Sequence, residues 1–134
     1  MLFQKSLNNT DIVLAETLKN FVPDEVFDIH VHPYRAAHFP KGEWAFLDGI
    51  EQLGCEEHRN ALQRYMTARK IHGLYFGMPR KTADRDTMNA WVAKEVRQKA
   101  TELSRSLMVV SPGDDPAQIA EQLRSGLFCG FKVY

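Results

Sequence analysis

Residues 27–34 read FDIHVHPY, and within that run Asp28, His30 and His32 stand two residues apart. On an extended strand alternate side chains share a face, so this spacing predicts that all three point the same way. Two imidazoles on one face near the C-terminal end of a strand can share a single ion. Neutral imidazole suits Zn²⁺, Mn²⁺, Fe²⁺ or Ni²⁺, and Zn²⁺ is the first choice for hydrolytic chemistry. Asp28, one step earlier, is expected as a carboxylate behind the ligands. The competing reading makes His30 and His32 ordinary strand residues hydrogen-bonded to backbone. Their pairing in an apolar strand that runs into a proline loop favours the metal.

Other candidates follow the histidines. Tyr34 and Arg35 come directly after them, where a guanidinium could meet a substrate carboxylate or simply lie at the surface. His38 sits in the same loop and either approaches the metal or substrate or is solvated. Trp44 and Phe46 are expected as an apolar plug over the site. His58 and His72 read as structural residues, on a helix and at a strand entry. Gly113, Asp114 and Asp115 are explained by helix capping.

These residues need elements to position them. Residues 10–22 predict a helix with Leu14, Leu18 and Val22 on one face, Asn9 or Thr10 as N-cap and Pro23 as stop. Residues 25–32 predict the first strand. Residues 33–49, with two prolines and two glycines, predict a long loop of the kind that often carries function. A helix is expected within 50–69, from Leu53, Leu62, Tyr65 and Met66. Residues 71–79 predict the second strand, 84–104 a helix along Met88, Val92, Val96 and Leu103, and 106–112 the third strand. Asp115 as N-cap and Pro116 at the first helical position start a helix that buries Ile119 and Leu123 and stops at Gly126. Residues 127–134 predict a fourth strand.

Strict strand–helix alternation argues for a parallel sheet with right-handed crossovers. Such a sheet is either a small doubly wound domain or half of an eight-stranded barrel, and periodicity does not choose between them. The 134 residues suffice for a single domain. Lys plus Arg equals Asp plus Glu at 17 each, so no net field favours nucleic acid or an anionic membrane. Cys55 and Cys129 form neither a disulfide framework nor a zinc knuckle. With no apolar signal or membrane-length run, the expectation is a cytoplasmic protein acting on a small-molecule substrate.

The run FDIHVHPY resembles the D-x-H-x-H first strand of the amidohydrolase superfamily, in the amidohydrolase-related branch that also includes decarboxylases. The GMP at 77–79 and GFKVY at 130–134 are compatible with that branch. The resemblance implies the first four strands of a TIM-type (β/α)₈ barrel and a metal-dependent hydrolase. It implies His30 and His32 as the first two ligands, with further histidines and an aspartate supplied by later strands. Lys132 matches the lysine that some branches carboxylate to bridge two metals; a strand lysine pairing with a carboxylate or reaching solvent fits the same position. PHP-type phosphoesterases and TatD-like nucleases also open with H-x-H, although the Ser-Asp-Gly stretch of the former is missing from residues 33–42. A non-catalytic half-barrel that serves association is the third reading. Because a half-barrel leaves two sheet edges and one face open, the chain is expected either as a homodimer or as a remnant of a longer polypeptide.

Overall fold

The computed structural model describes residues 6–43 and 49–134. In chain order the elements are α1 (Asn9–Lys19), β1 (Glu25–Val31), β2 (Tyr34–Arg35), a 3₁₀ turn (Ala36–His38), β3 (Gln52–Leu53), α2 (Cys55–Gln63), β4 (Lys70–Tyr75), α3 (Arg85–Lys99), β5 (Arg105–Val110), α4 (Pro116–Arg124) and β6 (Gly130–Val133). Strands β1, β4, β5 and β6 form one parallel sheet in that order, curled into a half-barrel with helices between strands. The short β2 and β3 pair antiparallel beside it, inside the stretch expected to be loop. Among the described residues, no helix is long and apolar enough to cross a membrane.

Capping sets the helix starts. Asp84 accepts from the backbone N–H of Thr87 (3.1 Å) and its hydroxyl (2.8 Å), and Asp115 accepts from Ala117 N–H (2.9 Å) ahead of Pro116. Gly126 has φ +74°, the left-handed stop expected of it. The first helix is capped one residue earlier than expected, by Asn8, through a reciprocal box with Asp11.

The main core lies between the sheet and helices α2 and α3, where Val31, Cys55, Tyr75, Met88, Trp91 and Val92 are buried together. A second cluster, Tyr34 and Phe39, seats the β2–β3 hairpin against Met78 and Ala83. Buried Asn89 on α3 donates to the Val109 carbonyl and accepts from its N–H, both at 2.9 Å. Strands β4 and β5 are in register only at Leu74–Arg105 and Tyr75–Ser106. Beyond those pairs the amide of Asn89 supplies Val109 with the partners a neighbouring strand would give.

Several expected core positions lie outside the core. Leu14 is 49% exposed, Leu18 and Val22 are half-buried and only Ala15 of α1 is buried, so the leading helix docks its apolar stripe only in part. Helix α4 has no buried residue, and Leu103 falls beyond α3 and is exposed. Leu53 belongs to β3 rather than to α2. The sheet edges carry exposed apolar side chains: Ile29 (73%) on β1, and Phe131 and Val133 on β6.

Candidate metal centre

The ladder between β1 and β4 pairs Asp28 with Gly73 and next pairs Val31 with Tyr75. Three steps along β1 therefore answer two along β4. One extra residue in a strand inverts the alternation beyond it. Asp28 thus shares its face with Val31 and Tyr75, toward the helices, while His30 and His32 turn to the other side. The expectation that Asp28 lies on the histidines' face is corrected by this bulge. Its carboxylate serves the backbone instead: Oδ1 accepts from His30 N–H at 3.0 Å, and Oδ2 lies 3.1 Å from His58 Nε2.

On the other side, His30 Nε2 and His32 Nε2 are 3.1 Å apart. His32 Nδ1 lies 3.2 Å from the carbonyl oxygen of Phe76 and 3.1 Å from that of Gly77. Carbonyls only accept, so Nδ1 carries the proton and the Nε2 lone pair is bare, the tautomer a ligating imidazole needs. Burial holds His32 below the usual histidine range, with the nearby Lys132 ammonium adding to the effect. At 2.0–2.1 Å from one tetrahedral ion, two nitrogens stand about 3.3–3.4 Å from each other. The pair fits two adjacent positions of such an ion after a shift of a few tenths of an ångström.

Both sheet edges converge on one ring. His30 and His32 pack edge-on against Phe76, with centroids 4.9 and 4.7 Å away, and Lys132 Nζ on β6 stands 5.8 Å from the same centroid. Lys132 is level with Val109 and also lies 5.6 Å from the Tyr134 ring. The curl of the sheet thus gathers Lys132 with the histidines, although 100 residues of chain separate it from His32. Among the described residues, no group of three His, Cys, Asp or Glu side chains is placed to hold a metal. The centre consists of two imidazoles and a nearby amine.

The remaining candidates lie elsewhere. The Arg35 guanidinium covers the Trp91 ring at 4.9 Å and its Nε donates to Gln52 Oε1 (3.0 Å), which ties the hairpin to α3. His38 is not a solvated loop residue: it is buried, packs on Trp91 and accepts from Arg35 N–H at Nδ1 (3.1 Å). His72 is buried at the N-terminal end of β4 between Thr101 Oγ1 (2.7 Å) and Glu25 Oε1 (2.8 Å), the structural role expected. Asp114 receives Ser111 N–H and Arg85. Trp44 and Phe46 lie outside the described residues.

Sequence reasoning missed Phe76 altogether and read His58 only as a structural helix residue. Phe76 follows β4 immediately, at the strand end where α/β sheets place their chemistry, and that position was the available signal. His58 is buried on α2 and bridges Asp28 to the Tyr75 hydroxyl (3.0 Å), and no local pattern marks it. No family model, curated protein or solved structure matches this chain.

Proposed function

We propose that the chain carries the first-strand half of a metal centre of the amidohydrolase type, in a hydrolase whose complete fold is a (β/α)₈ barrel. His30 and His32 hold a divalent ion, with Zn²⁺ preferred over Mn²⁺, Fe²⁺ or Ni²⁺. The observation that carries the reading is the 3.1 Å approach of two Nε2 atoms, one of them bared by carbonyls that take the Nδ1 proton. When bound, such an ion lowers the pKa of a coordinated water from 15.7 towards about 7 and polarises a scissile carbonyl.

The chain's own residues do the rest of the work available to it. The carbonyls of Phe76 and Gly77 aim His32, and the Phe76 ring packs edge-on against both imidazoles. Lys132 either offers positive charge to an anionic group of a small-molecule substrate or, once carboxylated, supplies an oxygen donor. C–N or ester hydrolysis is the main reading, and decarboxylation belongs to the same branch. A PHP- or TatD-like phosphoesterase would use the same two histidines. The exposed apolar edges favour a second reading, a non-catalytic half-barrel that associates with another chain.

Calorimetric titration with Zn²⁺ tests the assignment. The wild-type chain is expected to bind one ion weakly, and a His30→Ala, His32→Ala double variant to bind none. Equal affinity in both proteins removes the metal from the reading.

A further inference from the structure

We infer that His58, backed by Tyr75, is a positioning residue for the His30–His32 pair. This rests on the metal reading above but acts through a separate set of contacts. The Tyr75 hydroxyl lies 3.0 Å from His58 Nδ1, His58 Nε2 lies 3.1 Å from Asp28 Oδ2, and Asp28 Oδ1 accepts from His30 N–H at 3.0 Å. A carboxylate can only accept here, so the Nε2 proton of neutral His58 goes to Asp28 and the tyrosine donates to Nδ1. The chain of bonds runs from β4 through α2 to the bulge of β1.

The bulge is what needs holding. Ile29 and His30 have no register partner on β4, so the His30 N–H finds its acceptor in the Asp28 side chain. The Asp28 side chain is 34% exposed and could turn to water, whereas His58 is 9% exposed and anchored at both nitrogens. Freed from His58, Asp28 gains rotamers, the backbone at His30 loosens, and the His30 ring loses its register against His32 Nε2. A residue that merely fills space on α2 would not govern the state of a ring on the opposite face of the sheet.

The test reads that ring directly. In metal-free, ¹⁵N-labelled protein, long-range ¹H–¹⁵N spectra of the imidazoles should show His32 protonated at Nδ1 and His30 protonated at Nε2, donating to His32. In His58→Leu the His30 signals should move to values averaged over both tautomers. His58→Gln, whose amide can still donate to Asp28, should restore them. Tyr75→Phe should shift them in the same direction by a smaller amount, and it carries the test if His58→Leu fails to fold. Zn²⁺ affinity should fall about tenfold or more in His58→Leu and recover in His58→Gln. Unchanged His30 and His32 spectra in His58→Leu, or in Tyr75→Phe where that variant carries the test, overturn the inference. If the wild-type chain binds no Zn²⁺, the metal reading fails, while the metal-free spectra still decide the role of His58.

Discussion

His32 Nδ1 lies 3.1 Å from the carbonyl oxygen of Gly77, so a ring just past β1 is aimed by the backbone just past β4. That carbonyl is itself held by close packing. A Cβ added at Gly77 would stand 2.8 Å from Met88 Cε and 2.9 Å from its Cγ, and Met88 is buried. Overpacking of this kind costs about 1–3 kcal/mol. Gly77→Ala is therefore expected to lower the melting temperature and to weaken Zn²⁺ binding, because the displaced backbone carries the acceptor of His32. Thermal melts and a zinc titration on the same preparation check both effects.

Burial holds the pKa of His38 and of His58 below the usual histidine range. The folded chain keeps these rings neutral, whereas the unfolded chain takes up protons near pH 6.5. Their contribution to stability is complete above about pH 6.5 and is lost as the pH falls below it. Urea midpoints, measured with chelator present, should be level from pH 8 to 7 and decline towards pH 5. Replacing His58 by Gln should make that decline shallower. A midpoint unchanged down to pH 5 would contradict the burial of both rings.

Burial, with the Glu95 carboxylate nearby, pushes the Cys55 thiol up to about 12, whereas Cys129 is exposed. Thiolate is the reactive form, so a maleimide at pH 7.5 should label one cysteine in the native chain and two in urea. Peptide mapping should place the native label on Cys129. Rapid labelling of Cys55 without denaturant would show that α2 opens readily.

The site offers two imidazole donors, and no third His, Cys, Asp or Glu ligand among the described residues. Catalytic zinc normally has three protein ligands, and hydrolysis also needs a placed base. The 134-residue chain is expected to show no metal-dependent turnover of amides, esters or phosphodiesters. Turnover that disappears in His32→Ala would mean that the site is complete as it stands.

Strands β1 and β6 are the two open edges of the sheet, and they expose Ile29, Phe131 and Val133, with exposed Tyr134 just past β6. Open N–H and C=O groups beside apolar side chains invite pairing with another strand. Sedimentation velocity should show a dimer at micromolar concentration, and Ile29→Lys or Val133→Lys should shift it to monomer. A wild-type monomer would establish that the half-barrel is self-sufficient.

Local spacing carried what was legible in the sequence. The strand–helix alternation, the cap at Asp115, the stop at Gly126 and the pairing of His30 with His32 each depend on neighbours within four residues, where backbone geometry repeats. Period-two reasoning placed Asp28 with the histidines and erred there, because the bulge answers to the register of β1 on β4, a partner more than 40 residues away. Separation along the chain, 30 residues and 20 residues in the first two cases, likewise hid the link from His58 to Asp28, the amide of Asn89 on Val109, and the approach of Lys132 to Phe76. The apolar stripe of α1 was legible as a stripe, but whether it found a surface was not. An amphipathic pattern states what a segment can bury, and only the packed sheet decides which residues meet, because side chains distant in sequence become neighbours through strand order and curl.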